Sequence, residues 1–391
     1  MVPSIAALAT PWIMALYMAT ASAMPGASGT PSAASAADAP AAVAAVALDQ
    51  LRPVEAIIDG LGEARVVIVG ETHDRLDHHL NQLAVIKAMH ARHPDMAIGM
   101  EFFHRPFQKV LDAFVAGELD EAAMLRDSEY FKRWRFDFRL YRPIFDYARE
   151  HGIPLLALNM ESEVTSALGP EGLDGLSDAL KASLPEDMDR DVPGYAERLR
   201  AVFDAHPAPP GHKPSFQRFL DVQLLWDETM ADSAARWLRA NPGSPMVILA
   251  GSGHVAGRQG IPSRLQRRLG ERVVTVLQND GFVYGSDDGD FLLMTEPRTL
   301  PPAGKLGIYM EDAEGGVRIE RLAAGGGAEE AGLEEGDRLV SIAGRPIEST
   351  DDVYLAIMGL GHGAPVDVVV SRSGLFGIVQ ERRVKVTLKA F

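Results

Sequence analysis

The 391-residue chain contains no cysteine. No disulfide can form, no thiolate can ligate a metal or act as nucleophile, and no lipid-modified cysteine can anchor the protein. It also has no excess of positive charge: 38 Lys and Arg face 54 Asp and Glu, a net charge of −16. Phosphate backbones are bound by concentrated Lys and Arg, so nucleic acid is not expected as a partner. Long apolar runs are confined to the N-terminus, where Ile5 to Ala23 is apolar and ends in Ala21-Ser22-Ala23. That small-residue site reads as a secretory signal peptide over residues 1–23, although no Lys or Arg precedes the run. Left uncleaved, the same stretch nearly reaches the roughly 20 residues of a membrane span. Export to a periplasm is expected, with membrane anchoring as the alternative.

Residues 24–47 are rich in Ala, Pro, Ser and Gly and read as a flexible tether. From Leu48 onward, apolar β-branched runs alternate with helical patterns. Val66-Val67-Ile68-Val69, Met96 to Met100, Ile153 to Leu158 and Met246 to Ala250 read as buried strands. Leu76 to Ala91, Pro106 to Ala116, Tyr141 to His151 and Ser215 to Ala240 read as helices. The alternation predicts an α/β domain over 48–296 with a mostly parallel sheet flanked by helices. Glu161 to Pro214 is an acidic helical insertion, either a lid or a peripheral packing element. Pro297, Pro301 and Pro302 mark a boundary, and short strand patterns with Gly-rich turns follow over 303–391.

Two strings carry most of the chemistry. Gly70-Glu71-Thr72-His73 and Gly251-Ser252-Gly253-His254 each follow a predicted strand. Ligands of open parallel sheets bind beyond the carboxyl ends of strands. Glu101 and Asn159 end two further runs, so the rim collects Glu71, His73, Glu101, Asn159 and His254. In one reading His73, Glu101 and His254 hold zinc, manganese or iron while Glu71 activates water. Arg105 or Asn159 would then stabilise an oxyanion. In another the same groups do metal-free acid–base work. The aromatic and arginine-rich stretch Tyr130 to Arg142 either lines a flat anionic ligand or forms an aromatic core corner with snorkelling arginines.

Two resemblances rest on further strings. Leu306-Gly307-Ile308, Gly316-Val317-Arg318-Ile319, Ala328-Glu329-Glu330-Ala331-Gly332-Leu333 and Gly336-Asp337-Arg338-Leu339-Val340-Ser341-Ile342 make the C-terminal region resemble a bacterial PDZ domain of exported proteases. The resemblance implies capture of protein C-termini, with Leu306, Gly307 and Ile308 at the carboxylate and Val353 and Ile357 flanking the side-chain pocket. Gly70 to Asp74, Gly99 to Phe103, Arg105-Pro106-Phe107-Gln108, Trp226-Asp227-Glu228-Thr229 and Ala250 to His254 make residues 50–296 resemble the ChaN family. That family shares a superfamily with Tiki peptidases and erythromycin-esterase-like hydrolases. The ChaN branch implies haem binding and iron uptake, with a tyrosine ligand; Tyr195, or failing it His206, is the candidate by region. Haem-binding members are often lipoproteins, which this cysteine-free chain departs from. The hydrolase branches imply metal-dependent or His/Glu hydrolysis. Haem or another small ligand, C-terminal peptides and a homodimer are the partners so implied.

Overall fold

The computed structural model describes residues 47–61, 63–169, 172–205, 215–373 and 379–390. The signal-peptide and tether readings, except for Ala47, lie outside these residues, as does His206. Among the described residues no helix is long and apolar enough to cross a membrane. The chain divides into two compact units, 1–117 with 143–297, and 118–142 with 298–391.

The first unit is built on six parallel strands: β1 (Val66–Glu71), β2 (Ala97–His104), β3 (Leu155–Asn159), β4 (Met246–Gly251), β5 (Val273–Gln278) and β6 (Phe291–Leu293). Their order is β3-β2-β4-β1-β5-β6. The central strands are buried along their whole length, which is why their sequences are continuous Val, Ile and Leu rather than alternating. β1 and β4 pair in register from Val66↔Met246 to Glu71↔Gly251. The two Gly-x-x-His strings therefore leave neighbouring strands at the same level. β2 flanks β4 and continues through Glu101 to His104 rather than stopping at Met100, with a register irregularity after Met100.

The helix Phe216–Ala240 covers one face of this sheet. Ser215 caps it by accepting the Arg218 N–H, and it ends ahead of Asn241-Pro242-Gly243. Met230, Ala231, Ala234, Ala235 and Leu238 pack without solvent exposure against Ile68, Leu158 and Ile248. The small side chains let the helix lie close to the sheet. The first half of the same helix packs on the insertion, where Leu173, Leu176, Tyr195 and Leu199 join Phe219 and Val222 in a second cluster. In its described part the insertion is thus a packed element.

The second unit contains β7 (Ile308–Ala313), β8 (Gly316–Leu322), β9 (Arg338–Ile342), β10 (Arg345–Pro346), β11 (Pro365–Ser373) and β12 (Val379–Thr387). They form an antiparallel sheet ordered β12-β11-β9-β8-β7, with β10 paired to β9. β7 is therefore an edge strand. The helix Thr350–Ile357 starts with a capping box between Ser349 and Asp352. Val353 is buried in this unit's core beside Val317, Ile342 and Val366. The excursion 118–142 clusters here rather than in the α/β unit. Tyr130, Trp134, Phe138 and Tyr141 are buried, while Arg133, Arg139 and Arg142 pair with Glu129, Asp137 and Glu121. The aromatic stretch is a core corner in which these three arginines already face carboxylates, while Arg135 donates to the Lys132 carbonyl.

Ala235→Leu tests the close approach of the long helix to the sheet. Overpacking at this site should cost about 1–3 kcal/mol, read as a lowered urea midpoint. An unchanged midpoint would show that the contact has slack.

Candidate functional site

The carboxyl ends of β1, β2 and β4 bring four predicted residues together. Glu71 ends β1, and its Oε1 accepts the Nδ1–H of His73 at 2.7 Å. Its Oε2 lies 2.9 Å from Nδ1 of His79, on the first turn of the helix Leu76–Arg92. The other ring nitrogen of His79 lies 3.1 Å from the His73 carbonyl, so the ring is fixed at both ends. Glu101, in β2, accepts the Gly251 N–H at 2.6 Å through Oε2. Its Oε1 lies 3.3 Å from Nε2 of His254, which sits in the single turn Ser252–Val255 after β4.

A second set of groups stands behind His254. Nδ1 of His254 lies 2.6 Å from Asp227 Oδ1, and the Tyr195 hydroxyl donates to Asp227 Oδ2 at 2.6 Å. The Arg264 guanidinium lies 4.3 Å from the Tyr195 ring centre and 3.1 Å from Glu228. Arg268 reaches the other Glu228 oxygen at 2.6 Å. Arg198 donates to the Gly253 carbonyl at 2.9 Å, tying the insertion helix Tyr195–Ala205 to the Gly-Ser-Gly-His turn. The result is one buried line of charge, Glu101–His254–Asp227–Tyr195, ending on an arginine.

Comparison with known proteins places this arrangement. Residues 57–265, more than half of the chain, match the family model described as haem-binding uptake, Tiki superfamily, ChaN. The chain belongs to the ChaN family. Residues 304–386 match the PDZ model, and the C-terminal unit is a PDZ domain. A curated relative, protein RETICULATA-RELATED 5 of Arabidopsis thaliana, chloroplastic, is 22% identical over 253 residues, which is 60% of this chain. The chain spans 33% of that relative's length. A solved structure of ChaN from Campylobacter jejuni with cofacial haem is 20% identical and covers 61% of this chain and 90% of its own, with a TM-score of 0.48. An erythromycin esterase in its open conformation is 16% identical, covers 57% of this chain and 72% of its own, and has a TM-score of 0.36.

The electrostatics of this ChaN-family site follow from burial set against pairing. Burial alone would push His254 down, but Glu101 and Asp227 dominate and raise it to about 10. Glu101 and Asp227 are driven up by burial and then held below the usual carboxylate range, mainly by His254. Glu71 is likewise held low by His79 and His73 against its burial, and His79 is raised by Glu71 against its own. His254 is an imidazolium whose two N–H groups point at two carboxylates. While that state lasts its ring offers no lone pair to a cation. Among the described residues no group of three or more His, Asp and Glu side chains is arranged to hold a metal ion. His73, Glu101 and His254 come together at the rim, His73 hydrogen-bonded to Glu71 and Glu101 paired with His254.

The other expected residues make contacts of their own. Arg105 donates to the Ser183 carbonyl at 2.8 Å and lies 3.7 Å from Glu161. Asn159 uses its side-chain oxygen to accept the Met160 N–H. Neither is hydrogen-bonded to His73 or Glu101. Tyr195 does not fit haem iron as it stands: it is 1% exposed, its hydroxyl donates to Asp227, and burial and Asp227 push the phenol well above 10. Asp227, His79 and Arg264 carried no assigned role in the sequence reading. Adjacent acids on the apolar face of a long helix were the available signal, because Asp and Glu are rarely buried unpaired.

Gly251 shows how tightly the set is built. A Cβ there would lie 2.8 Å from Cε1 of His73 and 3.1 Å from its Nε2. Gly251→Ala should displace the His73 ring and lower stability by about 1–3 kcal/mol, read in urea unfolding. The ionisations also set a pH profile. The lowered carboxylates stabilise the fold above their ordinary range near 4, and this is lost as pH falls through their depressed values. His254 contributes fully below its ordinary 6.5, and this is lost as pH rises through about 10. Urea midpoints should therefore be highest near roughly pH 5 to 6.5 and decline toward pH 10. Asp227→Asn should flatten the alkaline decline.

Proposed function

We propose that this is an exported two-module protein whose α/β unit hydrolyses a carbonyl substrate by acid–base catalysis and whose PDZ unit captures protein C-termini. Export is supported by the apolar Ile5 to Ala23 segment and its Ala21-Ser22-Ala23 end. The observation that carries the catalytic reading is the Glu71–His73 hydrogen bond, beside the anchored Glu101–His254 pair. Glu71 is held ionised, so it accepts the Nδ1–H of His73 and fixes the tautomer. His73 is 9% exposed against 1% for His254 and is the more accessible imidazole of the two.

In this reading a water molecule gives a proton to His73 as its oxygen bonds to the carbonyl carbon. The imidazolium so formed is stabilised by Glu71, as a buried carboxylate stabilises the histidine of a hydrolytic triad. The bond to the leaving group then breaks, and the proton passes from His73 to that group. Glu101 is held in place by Gly251 and His254 and supplies fixed negative charge beside His73. Asp227 and Tyr195 hold His254.

Ester and peptide hydrolysis by the purified protein, with and without a chelator, tests this. Turnover should persist in chelator and fall by about 10²-fold or more in His73→Ala and in Glu101→Gln. No turnover in the wild type, or equal turnover in the variants, would overturn it. A second reading, the haem binding after which the family is described, is supported by the match over 57–265. A saturable Soret shift that is lost in Tyr195→Phe would favour that reading.

The PDZ unit supplies a separate prediction. Gly307 has φ of +80°, which proline cannot adopt, and it precedes the edge strand β7. Gly307→Pro should abolish binding of peptides with an apolar last residue, in anisotropy titrations near the micromolar range (about −8 kcal/mol). Amidated and free-acid peptides binding equally would contradict carboxylate capture.

A further inference from the structure

The helix Thr350–Ile357 has three occupied faces. At 3.6 residues per turn, Val353 and Ala356 point into the PDZ core. Thr350, Tyr354 and Ile357 share another face, which the Thr350 side chain locates: its hydroxyl donates to Asp312 near the far end of β7 at 3.3 Å, beside the Thr350 N–H at 2.9 Å. This face and β7 bound the peptide groove. The third face meets the excursion 118–142. Arg126 pairs with Asp352 at 3.0 Å, and Phe131 stacks on Tyr354 with ring centres 5.2 Å apart and planes 20° from parallel. Tyr354 remains 44% exposed.

We propose that the peptide groove is composite, with Phe131 and Tyr354 forming an aromatic lip that selects a cationic side chain, Arg or Lys, at the third-from-last residue of the bound C-terminus. The inference rests on the C-terminal capture proposed above. A strand added antiparallel to β7 places its last residue near Ile308 and runs toward Asp312. Side chains alternate along a strand, so the last and third-from-last residues both face the helix. A stacked aromatic pair attracts a cation through its ring faces. The surrounding charge has the matching sign. Asp312, Asp351, Asp352 and Glu129 lie at this end of the groove, against Arg126, which pairs with Asp352, and Lys132 and Arg133, which pair with Glu129. Burial and the carboxylates of Asp312, Asp352 and Glu129 together raise the Asp351 pKa, the mark of a local excess of negative charge.

Fluorescence anisotropy on the full chain tests this, using labelled peptides ending in Val with Arg, Ala or Glu third from last. Affinity should fall in that order. Phe131→Ala should weaken the Arg peptide about fivefold and leave the Ala peptide within about twofold, the range of an exposed cation–π contact. Asp351→Asn removes charge without disturbing the aromatic packing and should narrow the Arg-to-Glu gap. Equal affinities for the three peptides, or a full Arg preference in both variants, would overturn the proposal while free-acid peptides still outbind amidated ones. Amidated peptides binding as well as free acids would overturn it together with C-terminal capture.

Discussion

The imidazolium of His254 between Glu101 and Asp227 is the interaction on which the α/β site depends. Isolated buried carboxylates are costly, and so is an isolated buried imidazolium. Together they are tolerable because each ring nitrogen of His254 and each oxygen of the two carboxylates has a partner. Their pairing draws in the rest. Asp227 needs the long helix against the sheet, Glu101 needs the Gly251 N–H, and Tyr195 needs the insertion folded back onto Asp227. The insertion is therefore part of the electrostatic support of the site.

This support separates roles that look alike in sequence. Both Gly-x-x-His strings deliver a histidine beyond a strand, but the two rings differ in surroundings. His254 is enclosed by two acids, while His73 hangs from one acid at the more accessible side. In the proposed reading the first is a fixed charge and the second the proton carrier. Two titratable groups whose environments differ in this way are the usual basis of acid–base assignments.

Much of this was legible from residue order. Continuous Val and Ile runs gave the buried parallel strands, and Ser215 and Asn241-Pro242-Gly243 bounded the long helix within a residue. The rim position of Glu71, His73, Glu101 and His254 followed from strand ends. What was hidden depended on tertiary contact. Asp227 lies 27 residues from His254 in sequence, and nothing local marks it as the acid that holds His254. Arg105 and Asn159 stand near strand ends, yet the insertion and a local backbone N–H claim them. Val353 and Ile357 fit a pocket by spacing, while the exposure of Tyr354 on the same helix depends on packing that spacing alone does not show. The excursion 118–142 reads as α/β sequence by position and packs against the helix Thr350–Ile357 instead.

The protonation of His254 tests the central claim most directly. Nitrogen-15 imidazole spectra of the full chain, followed with pH, report whether both ring nitrogens carry protons. The account predicts a doubly protonated His254 through neutral pH, with deprotonation only on approach to about 10. A His254 ring that loses a proton near its ordinary 6.5 would contradict the buried charge line and the roles built on it.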